Sequence, residues 1–111
     1  MEIIEFLERN KSVKVIDILD FKTFRFGFFI KVKVVLINES ELFIREYSDK
    51  EVRNYSYHWQ DKNGKLIIRW DNSPHHKNIS TFPHHKHNKN KIIPSFEIDI
   101  SGIFKIIEKN I

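Results

Sequence analysis

Alternation of apolar and polar side chains over residues 24–36 constrains the fold more than any other feature of the chain. Apolar residues take every second position and three cations stand between them; the apolar set is Phe24, Phe26, Phe28, Ile30, Val32, Val34 and Leu36. A period of two is typical of a β-strand that buries one face. A single strand over 24–36 would be longer than usual, so we expect a bulge or bend near Gly27.

Further strands are predicted where β-branched or aromatic residues lie between turn residues. Strands are expected at 13–19, 42–47 and 52–60, with another returning from a hairpin at 61–64. Phe96 and Ile98 indicate a last short strand. The total is five or six strands.

The hairpin register decides which side chains share a face. Asn63-Gly64 favours a tight turn, because glycine readily adopts positive φ angles. If these two residues form the turn, His58 faces Arg69. One face then carries Tyr55, Tyr57, Trp59, Leu66, Ile68 and Trp70, and the other carries Ser56, His58, Gln60, Arg69 and Asp71. A type I turn with Gly64 in a bulge would mix the faces, so we favour the first register, which buries no charge.

Two helices are predicted at the ends of the chain. Residues 2–9 place Ile3, Ile4 and Leu7 on one face and glutamates on the other. Asp99 can cap a second helix, whose apolar stripe is Ile100, Ile103, Phe104, Ile107 and Ile111. We therefore predict one α+β domain over residues 1–111: two layers, an antiparallel β-meander with both helices on one face.

Residues 73–94, here called the basic segment, carry the whole formal charge of +4. The segment holds four lysines, no acidic residue and five of the six histidines: His75, His76, His84, His85 and His87. The other fifteen Lys and Arg are balanced by fifteen Asp and Glu. We interpret the segment as a basic, titratable loop that follows the hairpin directly.

Composition excludes several classes of function. The chain has no cysteine, which removes disulfides, thiolate metal sites and a cysteine nucleophile. Its acidic start is unlike a signal peptide, and no apolar run approaches the roughly 18 residues of a membrane span. We predict a soluble cytoplasmic protein with no membrane contact.

Four sequence motifs carry a resemblance to a known family. They read Tyr57-His58-Trp59-Gln60, Arg69-Trp70-Asp71-Asn72, Pro74-His75-His76 and Phe82-Pro83-His84-His85-Lys86-His87. Over these residues the chain resembles the TumE family, the toxin component of type II toxin–antitoxin pairs. The resemblance implies a growth inhibitor neutralised by an antitoxin that carries a DNA-binding domain. It assigns no catalytic residue, so the chemistry is argued from the side chains.

The favoured hypothesis is a metal-independent ribonuclease, which uses no cofactor. RNA cleavage needs a base for the 2′-hydroxyl, an acid for the leaving oxygen and cations for the phosphorane. We assign proton transfer to His58 or to one of His84, His85 and His87. Arg69 would clamp the phosphate, Asp71 would orient a histidine and Lys86 would hold the backbone.

Two further hypotheses stay open. The first is a zinc site built from His75, His76, His85 and His87, because imidazole is a common ligand of that metal. The second is a non-catalytic nucleic-acid binder, in which Lys77 and Lys89 neutralise phosphates and Trp59 or Phe82 stacks on bases. Each histidine also has a purely structural interpretation, as a hydrogen-bonding group that holds the loop to the sheet.

The predicted partners are the antitoxin and an RNA or ribosomal target, and a sheet edge offers a route to a homodimer. The ribonuclease hypothesis requires one particular arrangement of side chains. His58 and Arg69 should share one sheet face, with at least one histidine of the basic segment within a side chain's reach.

Overall fold

The alternating segment forms the second strand of a seven-stranded antiparallel sheet. The computed structural model describes residues 1–111. The elements in chain order are α1 (Glu2–Arg9), β1 (Val13–Phe24), β2 (Gly27–Leu36), β3 (Glu41–Ser48), β4 (Arg53–Gln60), β5 (Leu66–Asp71), β6 (His85–Asn88), β7 (Lys91–Pro94) and α2 (Ile100–Glu108). Neighbours in the sheet follow the order of the chain. The α+β meander with two terminal helices is confirmed, with seven strands instead of five or six.

Both helices pack on one face of the sheet and enclose a core of sixteen residues. Leu7 of α1 and Ile103 of α2 are fully buried against alternate residues of β2, such as Val32. Asp99 caps α2 as predicted, since its Oδ1 accepts a hydrogen bond from the Gly102 amide at 2.9 Å. Ile111 lies beyond the helix and is exposed, so the predicted stripe is one residue too long. Neither helix has the length and apolar character needed to cross a membrane.

The predicted single strand over 24–36 is wrong at its start, where the chain reverses direction. Phe24 pairs with Gly27, so β1 and β2 form a hairpin through Arg25 and Phe26. Gly27 is required by a close approach, because a Cβ there would lie 1.9 Å from the carbonyl oxygen of Ser48. The bulge or bend expected near Gly27 is thus a full reversal of the chain. The alternation continues through it, so the sequence pattern does not distinguish a bend from a turn.

The favoured register of the β4–β5 hairpin is confirmed, although its turn is the competing type. His58 pairs with Arg69 as predicted. At the turn, Gly64 has a φ of +85° and its amide donates to the Asp61 carbonyl at 2.9 Å, which is a type I turn with a bulge.

A second bulge restores the register that the turn would shift. Trp59 pairs with Ile68 but Gln60 pairs with Leu66, so Ile67 is an extra residue in β5. Leu66, predicted on the apolar face, instead lies opposite Gln60. The two irregularities cancel, and the polar face is kept intact beyond them.

The basic segment is not a loop throughout, because residues 85–94 form a β-hairpin. β6 pairs with β5, and β7 pairs with β6. Both faces of β6 carry polar side chains, so its period of two is hidden in the sequence. The strand predicted around Phe96 and Ile98 is wrong; this stretch is irregular, and Phe96 is 83% exposed.

Substitution of Gly27 by alanine tests the close approach of β2 to the end of β3. We expect Gly27→Ala to lower the free energy of unfolding by about 3 kcal/mol, because the new methyl group displaces backbone. The matched control is Gly64→Ala, where no atom lies within 4 Å of the new Cβ and only the positive φ is strained. That strain costs about 1–2 kcal/mol. Chemical denaturation compares the two variants, and an equal or smaller effect at Gly27 contradicts the close approach of Gly27 to Ser48.

Candidate functional site

The candidate site lies on the sheet face that the helices leave uncovered, where β4, β5 and β6 are neighbours. Strand pairing sets His58 opposite Arg69 and Arg69 opposite His87, and it sets Asp71 opposite His85. Side chains at paired positions project from the same face of a sheet. Five of the seven predicted catalytic residues therefore lie together, and two of them come from the basic segment.

Asp71 is the centre of this cluster. It is only 5% exposed. Its Oδ1 accepts hydrogen bonds from the Ser73 amide at 3.0 Å and hydroxyl at 2.9 Å, and its Oδ2 accepts from Arg69 Nε at 3.2 Å. The Nε2 atoms of His85 and His87 lie 2.9 and 3.4 Å from the carboxylate. Burial acts to raise the pKa of Asp71, but the Ser73 hydrogen bonds and the neighbouring side chains of His85 and Arg69 lower it, so the carboxylate stays ionised.

The hydrogen bonds of His58 assign its tautomer. Arg69 Nη1 lies 3.3 Å from His58 Nδ1, and a guanidinium can only donate, so Nδ1 carries the lone pair. Nε2 then carries the hydrogen and donates to Gln60 Oε1 at 3.1 Å. Burial and the Arg69 charge lower the pKa of His58, against a smaller opposing effect of Gln60. The result is a neutral imidazole with its basic nitrogen directed at a cation.

Three histidines converge beside Asp71. The rings of His76, His85 and His87 lie 4.8, 5.7 and 4.9 Å apart in pairs, and each ring is steeply inclined to the others. One nitrogen from each lies within 4.8 Å of the other two, a spacing at which one metal ion is within reach of all three. Burial lowers the pKa of His87, the nearby Asp71 opposes this, and His85, His76 and Arg69 lower it further. Of the four predicted metal ligands, His75 alone is outside the group and is exposed.

Three predicted site residues lie elsewhere. Trp59 is 2% exposed and donates its Nε1 hydrogen to Ser40 Oγ at 3.0 Å, so it is not available to stack on a base. His84 packs parallel to the ring of Tyr55, a core residue, with Nδ1 2.9 Å from its hydroxyl. Lys86 pairs with Trp70 and alternates with the two histidines of β6, which places it on the helix-covered side. Alternation along β4 separates Trp59 from Asp71, and alternation along β6 separates Lys86 from it.

The remaining predicted contacts are on the surface but outside the cluster. Lys77 and Lys89 are exposed, and Lys89 lies in the β6–β7 turn with a φ of +58°. Phe82 is 43% exposed. These three side chains are accessible from solvent but are not part of the cluster.

The open face also carries residues that sequence reasoning missed. A shallow hollow of about 350 Å³ is lined by Arg45 together with Ser56, Arg69 and Asp71. The guanidinium of Arg45 lies 5.2 Å from the ring centre of Phe29, and Phe43 contacts His58 edge to face. The sequence could have indicated Phe29, Phe43 and Arg45, because they occupy odd-numbered positions of β2 and β3 while the core residues occupy the even-numbered ones. The face is thus cationic with aromatic rings beside the cations.

Fold and site together define a small α+β protein with a cationic, histidine-rich face on an antiparallel sheet. The family model for Toxin TumE matches residues 3–111, nearly the whole chain, and the chain therefore belongs to the TumE family of toxins. The resemblance carried by residues 57–87 is confirmed, and family membership implies an antitoxin partner. No curated protein and no solved structure matches the chain.

The titration of His58 tests the geometry of the site. We expect its pKa in the folded protein to lie below the ordinary value of 6.5 and to rise in Arg69→Gln, which removes the neighbouring charge. Lys86→Gln removes a charge from the opposite face and should leave the pKa unchanged. Histidine ring signals followed by NMR across pH measure it.

The sign of the linked stability effect follows from the same shift. The unfolded chain binds a proton at His58 more readily than the folded protein does. The free energy of unfolding therefore falls as pH falls below 6.5 toward the folded pKa of His58. A His58 pKa above 6.5, or an equal response to both charge removals, contradicts the contact with Arg69.

Proposed function

We propose that this TumE-family toxin is a ribonuclease that cleaves RNA on the open face of its sheet, with no metal ion in the chemical steps. The observation that carries the proposal is the contact between Arg69 Nη1 and the unprotonated Nδ1 of His58. It joins a phosphate-binding cation and a base in one pair. A base and a cation at such spacing suit attack by a 2′-hydroxyl on the adjacent phosphate.

Substrate binding would separate the pair and activate it. The Arg69 side chain is 39% exposed, and its Nη1 prefers an RNA phosphate oxygen to an imidazole nitrogen because the phosphate is charged. Asp71 holds Arg69 through Nε, so the guanidinium keeps its position while Nη1 changes partner. The lone pair of His58 Nδ1 is then free beside the bound nucleotide.

The cleavage step follows from these positions. His58 Nδ1 takes the proton of the 2′-hydroxyl, the 2′ oxygen bonds to phosphorus, and Arg69 stabilises the charge of the phosphorane. The bond from phosphorus to the 5′ oxygen breaks, and that oxygen takes a proton from water at the open face. The proton on His58 then neutralises the hydroxide that is left, which restores the base. The products are a 2′,3′-cyclic phosphate end and a 5′-hydroxyl end. Arg45 and the rings of Phe29 and Phe43 extend the surface along which the strand would lie.

The proposed partners follow from the same face. With an RNA substrate, free or on the ribosome, the toxin would act in the cytoplasm. The antitoxin would carry a DNA-binding domain and cover the cations around Arg69 with acidic residues. A homodimer would form at the outer edge of β1, a strand of twelve residues with exposed apolar side chains such as Ile18 and Phe21.

Replacement of His58 by glutamine tests the catalytic assignment. We expect His58→Gln to reduce the rate of RNA cleavage about 10²- to 10⁴-fold, the range for loss of a general base, with folding and RNA affinity retained. His75→Gln is the matched control, since His75 is exposed and outside the cluster. The assay uses purified protein with RNA alone and with ribosomes, and identifies 2′,3′-cyclic ends.

Two results would count against the proposal. RNA that stays intact under both conditions rules out cleavage, and cleavage by His58→Gln at the wild-type rate rules out His58 as the base. RNA binding that disappears with salt and comes with no turnover would identify a non-catalytic binder.

A further inference from the structure

One ring nitrogen of His85 is buried beside a carboxylate and has no hydrogen-bond partner. His85 is 1% exposed. Its Nδ1 lies 2.8 Å from the carbonyl oxygen of Pro83, which can only accept, so Nδ1 carries the hydrogen. In the neutral ring Nε2 therefore presents a lone pair, and Nε2 is the one buried side-chain polar atom without a partner.

The atom beside this lone pair is a carboxylate oxygen of Asp71, which also carries lone pairs. Asp71 Oδ1 lies 2.9 Å from His85 Nε2, but the pair lacks the alignment of a hydrogen bond. A lone pair that faces an ionised carboxylate in a buried place is unfavourable unless a cation lies between or beside them. Because the alignment is poor for a proton on Nε2, a cation off the line between the two atoms fits better.

Two further imidazoles point to the same place. His87 belongs to β6, and its Nε2 lies 3.4 Å from Asp71 Oδ2. His76 comes from the segment between β5 and β6, and the ligand atoms of the three histidines all lie within 4.8 Å of one another. The donor set is thus three imidazole nitrogens with a carboxylate beside them.

The geometry points to a zinc site formed by His76, His85 and His87, with the negative charge of Asp71 beside the ion. Neutral imidazole is a preferred ligand of Zn²⁺, and three such ligands with one further position form a common arrangement. The hydrogen bond from His85 Nδ1 to a backbone carbonyl is the outer contact that ligating histidines usually make.

Metal binding would draw the three side chains closer. Zn–N bonds of about 2.0–2.1 Å place tetrahedral ligand atoms about 3.4 Å apart. The rings of His76 and His87 are the most widely separated pair, at 5.7 Å. His76 lies outside the sheet, so the 72–84 segment is the part that moves, and the ion fastens it to β6.

The zinc site is separate from the proposed RNA cleavage, because the ion takes part in none of the cleavage steps. His58 is not a ligand, and the ion would act by fixing the segment that borders Asp71 and Arg69. Failure of either proposal leaves the other intact, because one is read from bound metal and the other from RNA products.

The test measures zinc binding by the full chain, purified without a histidine tag and stripped of metal. We expect one equivalent of Zn²⁺ by elemental analysis and titration calorimetry, a rise in melting temperature with zinc, and the visible bands of tetrahedral Co²⁺ when cobalt is used as a probe. His76→Gln and His87→Gln should each weaken zinc binding by more than about 100-fold, beyond the effect of losing an outer contact.

His75→Gln and His84→Gln are the matched controls and should bind zinc as the wild type does. Circular dichroism checks that each variant is folded, and His76→Gln is decisive because its residue lies outside every helix and strand. No bound zinc in the wild type, or equal binding by His75→Gln and His76→Gln, overturns the proposal.

Discussion

The candidate site depends on one buried carboxylate. Asp71 would cost several kcal/mol to bury without any partner, so the groups around it together stabilise the fold as well as serving the chemistry. Its oxygens bind Arg69 of the same strand and Ser73 of the following turn, and they contact His85 and His87 of the next strand. Folding of β5 and β6 therefore assembles the cluster before any ligand arrives.

A second ionic network, on the helix-covered side, fixes the scaffold beneath this face. Arg53 of β4 donates to Glu46 of β3 at 3.0 Å and to the carbonyl of Ile98, just before α2, at 2.9 Å. Tyr57 also donates to Glu46, and burial together with the Glu46 charge raises the pKa of that phenol. The two networks meet at β4, because Arg69 contacts His58 of that strand, so the strand that carries His58 is held from both sides.

The sequence predicted those elements in which periodicity and burial agree, and missed those in which they do not. Phe24 to Leu36 alternates regularly, yet the pattern cannot show that Gly27 follows a turn, since alternation is unchanged by a reversal of the chain. The β4–β5 register was predictable because only one register keeps charge out of the core. β6 was not, because polar side chains on both its faces leave no contrast, and its pairing with β5 is a long-range contact. His76 joins the cluster only through that pairing.

In the proposed function, the open face around Asp71 and Arg69 carries the toxic activity. Growth of cells that express the protein without its antitoxin measures this most directly. Arg69→Gln should abolish growth arrest while the protein accumulates in folded form, and Lys86→Gln, on the opposite side of the same sheet, should remain toxic. Growth arrest by Arg69→Gln equal to that of the wild type would contradict this role of the open face.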